Sequence, residues 1–107
     1  MTEGRQFGVT TTEQADSVVL RVMGEIDLVT APVLQRSIDA AIRAGRPTIV
    51  IDLSATTFLD ARGVGALVLA RKQAVKVGTR LVIRQPPPLV RRVLELADQV
   101  DRMEIEE

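Results

Sequence analysis

Thr48–Gly78, TIVIDLSATTFLDARGVGALVLARKQAVKVG, is the stretch whose reading decides the fold. Thr48-Ile49-Val50-Ile51-Asp52-Leu53 is a near-continuous run of β-branched residues. Such a run is the signature of a strand covered on both faces. Ser54 to Leu59 reads as the connection. Asp60 is placed to cap the next helix, because its carboxylate can accept the free backbone N–H groups two and three residues on. From Val64 the periodicity becomes helical, and the run to Gly78 is long enough for about four turns.

Working outward, Phe7 to Thr12 reads as a first edge strand and Glu13-Gln14-Ala15-Asp16 as a turn. Ser17 to Met23 is a second, more apolar strand, and Gly24-Glu25-Ile26-Asp27 breaks it. Thr30 is placed as a helix cap, with Pro32 in the first turn, where its missing N–H costs nothing. Leu34, Ile38, Ala41 and Ile42 then share one helical face, and Gly45 with Pro47 stops the helix. Beyond Gly78, Thr79–Arg84 reads as a strand, and Pro88 opens a third helix with Val90, Val93, Leu94 and Ala97 on one side. Arg102–Ile105 adds a short edge strand, and Met1–Arg5 is polar and expected to fray. The order is β-β-α-β-α-β-α, with or without a final β. It predicts one compact α/β domain: a mixed sheet of four or five strands, three main helices and right-handed crossovers.

Composition bounds the function. A chain of 107 residues argues for one domain that buries roughly 60–70% of its unfolded surface. Lys+Arg and Asp+Glu both count 14, so the net charge is zero. No basic field attracts nucleic acid, and the two aromatics, Phe7 and Phe58, make no base-stacking platform. Cysteine and histidine are absent. Disulfides, thiolate metal sites and the commonest general base go with them. The N-terminus lacks an apolar signal core, and the longest apolar run, Gly63–Ala70, is too short to span a bilayer. A cytoplasmic protein is expected, without membrane insertion.

No catalytic set emerges. Ser17, Ser37 and Ser54 lie in no nucleophile elbow. Gly63-Val64-Gly65 is like a phosphate-binding turn but lacks the longer fingerprints. Asp27, Asp52 and Asp60 could gather as a magnesium site, but each explains itself locally as turn, strand end and cap. No enzyme, metal or cofactor is expected. Residues 100° apart on the helix put Val64, Leu67, Val68, Ala74 and Val75 on the core face, with Arg71 an awkward companion. Arg62, Gly65, Ala66, Leu69 and Gln73 form the opposite face. A small, largely uncharged stripe with one leucine makes a docking surface for a protein.

Four features together carry a resemblance. They are the Gly24-Glu25-Ile26-Asp27 corner before Thr30-Ala31-Pro32, the Ile49–Ser54 strand, Phe58-Leu59-Asp60 before Gly63-Val64-Gly65, and the prolines before the last helix. The chain resembles the STAS domain family, named for sulphate transporters and anti-sigma factor antagonists, from about Phe7 to about Met103. Its length resembles the bacterial anti-anti-sigma factors. The resemblance implies a partner-exchange switch. An anti-sigma factor, often a GHKL-type serine kinase, holds a sigma factor; the STAS protein binds the anti-sigma factor and frees the sigma factor; the kinase phosphorylates a serine at the start of the helix after the central strand. Phosphate adds about −1.5 to −2 charges, enough to break a complex that faces acidic groups.

This chain departs from that pattern at the phosphoacceptor. The family corner commonly reads Asp-Ser-Ser-Gly or Asp-Ser-x-Gly. Here the residues are Asp60, Ala61, Arg62 and Gly63, and Arg62 occupies the acceptor slot. Thr56 and Thr57 are the backup acceptors. The implied partner-binding set is Asp27, Thr30, Asp60, Ala61, Arg62, Gly63, Gly65, Ala66, Leu69 and Gln73, in a monomer or weak dimer. The alternatives are a STAS module of another assembly, such as a stress-signalling or lipid-transport complex, or a small-molecule or nucleotide sensor.

Overall fold

The structure, a computed structural model, describes residues 6–97 and 103–107. The segment Met1–Arg5 and the Arg102 start expected for the last strand lie outside the described residues. The elements are β1 (Gly8–Glu13), β2 (Ser17–Ile26), α1 (Ala31–Arg43), β3 (Thr48–Leu59), α2 (Ala61–Lys76), β4 (Arg80–Arg84), α3 (Pro88–Leu96) and β5 (Glu104–Glu106). They form one five-stranded sheet in the order β1-β2-β3-β4-β5. β1 pairs antiparallel with β2, and every other pairing is parallel.

Side chains alternate across a strand, and here the two faces have different fates. Val18, Leu20 and Val22 of β2, Ile49, Ile51 and Leu53 of β3, and Leu81 and Ile83 of β4 join one buried cluster. Leu34 and Ile38 of α1, Leu67 of α2, and Val90 and Leu94 of α3 belong to the same cluster. All three helices therefore cover one face, as right-handed crossovers advancing in one direction require. Val50 and Val82, on the other face, are also buried but stand outside that cluster. β3 is not covered on both faces in the way its apolar run suggests: the helices cover one, and on the other Val50 is buried, Thr48 and Asp52 are half-buried and Ser54 is exposed. On the other side Val50 lies between Val19 and Val82 of the flanking strands. Beside it runs a row of alternating charge, Arg21, Asp52, Arg84 and Glu106, in register across β2 to β5. Arg84 Nε bonds Glu106 Oε1 at 2.7 Å.

Two boundaries differ from the sequence reading. Ser54–Leu59 is not a connection but the second half of β3, and Gly24–Ile26 does not end β2 but extends it. The cause is mutual. The two segments pair from Met23↔Ala55 to Ile26↔Leu59, across register shifts on either side of Met23-Gly24. Gly24, at φ +89°, supplies the irregular backbone there, and a Cβ on it would sit 2.9 Å from the Gln6 carbonyl oxygen. Ala97, expected on the core side of α3, is exposed because the helix ends at Leu96.

Candidate functional site

The extended strands bring two corners together at one end of the sheet. The β3–α2 corner has no loop. Leu59 ends the strand, Asp60 caps, and Ala61 is the first helical residue. Asp60 Oδ1 accepts the N–H groups of Arg62 at 2.9 Å and Gly63 at 3.1 Å. Its own N–H donates to the Ile26 carbonyl at 3.2 Å, tying this corner to the end of β2. Asp60→Ala leaves two helix donors without a partner and is expected to cost about 1 kcal/mol. Urea unfolding should show a lower midpoint with an unchanged slope, and Asp60→Asn should recover most of the loss.

At the β2–α1 corner the capping roles are redistributed. Thr30 occupies the cap position, but its side chain makes no cap bond to the helix. Its hydroxyl instead accepts Asp27 N–H at 2.8 Å and lies 2.7 Å from the Glu25 carbonyl. Asp27 Oδ1 accepts the N–H groups of Val29 and Thr30 at 3.0 and 3.1 Å. The expected Thr30 cap is thus a reciprocal Asp27–Thr30 clasp that shapes the turn before the helix. The Thr30 N–H first, then the opposing effect of partial desolvation and the weaker bonds from Val29 and the Thr30 hydroxyl, leave the Asp27 carboxyl below its ordinary value.

A carboxyl with a depressed folded value stabilises the fold above its unfolded pKa, about 3.9, and loses that contribution as pH falls through the folded value. The melting temperature should therefore drop below about pH 4. Asp27→Asn, which still offers a carbonyl to both N–H groups, should show a shallower acid limb. Equal acid loss in both proteins would exclude the clasp as a contributor.

The remaining expected site residues divide. Ala61, Arg62, Gly65 and Leu69 are exposed. Gly63 and Ala66 are buried, and Gln73 is half-buried with its Oε1 3.4 Å from Gln35 Nε2 of α1. Ala66 therefore leaves the outer face expected for it. Val75, expected in the core, is 62% exposed, and Arg71 is exposed rather than laid along the core. The physical reason is that α2 packs on α1 as well as on the sheet. Its buried arc shifts to Gly63, Val64, Ala66, Leu67, Ala70 and Ala74. A groove of about 280 Å³ opens between α1 and α2, with Arg62, Gly65, Ala66 and Leu69 on one wall and Leu28, Ala31, Pro32 and Gln35 on the other. Sequence reasoning missed that second wall. Its only signal was the apolar Leu28-Val29 pair directly after the Asp27 corner.

Of the backup acceptors, Thr56 is ruled out by its setting. It is 1% exposed and its hydroxyl donates to the Val22 carbonyl at 2.8 Å. Thr57 is exposed but lies within β3. Asp52 Oδ1 is engaged by Ser54 N–H at 2.9 Å. Among the described residues no three acidic side chains gather to hold a metal ion. Among them, too, no helix is long and apolar enough to cross a membrane.

A five-stranded mixed sheet with three helices on one face and a capped aspartate corner at its end defines a STAS-type domain. The family model of the STAS domain matches residues 9–107, and the chain belongs to that family. It is 30% identical over 83 residues to an anti-sigma F factor antagonist of Lysinibacillus sphaericus, covering 77% of this chain and 71% of that protein. It is 37% identical over 73 residues to the anti-sigma-F factor antagonist RsfB of Mycobacterium tuberculosis, covering 65% of this chain and 60% of that protein. The crystal structure of an anti-sigma factor antagonist from Mycobacterium paratuberculosis superposes with a TM-score of 0.83 at 29% identity, covering 99% of this chain and 90% of that one.

Proposed function

We propose that this protein is an anti-sigma factor antagonist: a binding module, not an enzyme, that captures an anti-sigma factor and so releases a sigma factor. The observation that carries the reading is the groove beside the Asp60 corner. The helix start where the family resemblance puts both the phosphoacceptor and the partner contact opens onto that groove, in which Leu28 and Leu69 stand 59% and 45% exposed over a floor of small residues. Names of relatives that share the family agree with it. The partner is a GHKL-type serine kinase, and binding to it is constitutive, because Arg62 offers no hydroxyl where the family carries its serine.

A tagged pull-down from the native cytosol at physiological salt tests this, with mass spectrometry on bait and bound proteins. The expected catch is a kinase-like anti-sigma factor on an unphosphorylated bait. The purified pair should then release the sigma factor from its complex in a competition assay. A chain that neither retains such a protein nor displaces the sigma factor would end the reading.

A further inference from the structure

The groove between α1 and α2 contains one charged side chain. Leu28, Ala31, Pro32, Gly65, Ala66 and Leu69 make its walls and floor, Gln35 adds an amide, and Arg62 stands among them. Asp27 and Asp60 lie at the corners outside that lining, each with Oδ1 turned to backbone N–H groups of its own turn. Arg46, Arg80, Arg84 and Arg91 each pair with a carboxylate of this chain. Arg62 has no ion-pair partner among the described residues, and the first turns of α1 and α2 carry no acidic residue.

That arrangement constrains whatever covers the groove. Apolar contact with Leu28 and Leu69 expels the water that solvates Arg62. A guanidinium desolvated without a counter-charge costs more than a small apolar groove returns. The occupant must therefore bring its own carboxylate. The planar fork of arginine takes a carboxylate in two parallel hydrogen bonds, which fixes orientation as well as charge.

Resting on the anti-sigma factor reading, we propose that the partner docks an apolar segment carrying an Asp or Glu, and that this carboxylate pairs with Arg62 at the groove. Position 62 thereby changes from a place where charge is added to break a complex into one where a fixed charge holds it.

The test uses the full chain and the anti-sigma factor captured above, with affinities by calorimetry. Arg62→Glu places like charges together and should weaken binding by at least about 30-fold. Arg62→Lys keeps the charge but loses the fork, and should weaken it by about tenfold. Arg62 is exposed in the first turn of α2, where a helix N-terminus tolerates an anion better than a cation, so neither variant should lower the melting temperature. Reversing the partner's surface carboxylates one at a time to arginine should find one variant that restores binding to Arg62→Glu. Wild-type affinity in Arg62→Glu, or rescue by none of the reversals, would overturn the proposal while leaving the anti-sigma factor reading standing. Failure of the anti-sigma factor to bind even the wild-type chain would remove that reading and this partner with it. A dimer of the chain alone that Arg62→Glu dissociates would make a second copy the occupant, and would overturn the proposal equally.

Discussion

Gly63→Ala is expected to destabilise the fold by about 2 kcal/mol, enough to lower the melting temperature of a domain this size by about 10 °C. The reason is the close approach of α2 to the ends of β2 and β3. A Cβ at Gly63 would overlap Leu59 Cδ1 and stand 2.9 Å from both Cγ2 and the carbonyl oxygen of Ile26. Leu59 and Ile26 are wholly buried, so their side chains have nowhere to retreat. The Ile26 carbonyl is less able to yield, since it accepts the Asp60 N–H that joins the two corners. Relief requires the helix start to lift from the sheet, which loosens that bond and moves Arg62.

Gly65→Ala is the internal control. A Cβ there meets nothing within 4 Å, so only the helix-propensity gain of about 0.5–1 kcal/mol remains. Parallel urea titrations should therefore move the two midpoints in opposite directions. A Gly63→Ala protein as stable as wild type would mean that the contact between helix start and strand ends is loose.

The corner was legible in the sequence because its causes are local. A carboxylate two residues before an N–H, a proline in a first turn and a glycine after a last one act over a few bonds, and Asp60, Pro32 and Gly45 stand where those rules put them. The length of β3 was not legible. Ser54 to Leu59 has no strand pattern of its own and is extended because β2, more than thirty residues earlier in the chain, continues alongside it through an irregular register. The α2 faces failed for a related reason. A helical wheel assumes one buried stripe, whereas α2 packs against the sheet and α1 at once, which buries Ala66 and leaves Val75 outside. The stripe around Arg62 and Leu69 could be seen as one wall of a surface. The opposite wall, from Leu28 to Gln35, is set by the crossing of two helices and is a tertiary fact.

Arg62→Ser is expected to convert a chain with no hydroxyl at this slot into a kinase substrate. The backbone at position 62 is already prepared. It lies in the exposed first turn of α2, with its N–H held by Asp60 Oδ1. A serine hydroxyl there would face solvent at the end of the fold, unlike the Thr56 hydroxyl, which is buried against β2. Incubated with ATP and the anti-sigma kinase, the variant should gain the mass of one phosphoryl group per chain, and the wild-type protein none.

The modification should not unfold the variant. The helix N-terminus favours the added anion while the Asp60 carboxylate opposes it, and both effects are modest at an exposed site. Its consequence falls on the partner. Where Arg62 meets a carboxylate, a phosphoserine sets about −1.5 to −2 charges against that same group. Affinity should fall at least about 100-fold below that of the unmodified variant, since close like charges cost several kcal/mol. An unmodified Arg62→Ser chain, in the presence of a kinase active on another STAS substrate, would show that the partner no longer reads this corner as a phosphorylation site. Phosphorylation without loss of binding would place the partner's acidic group away from position 62.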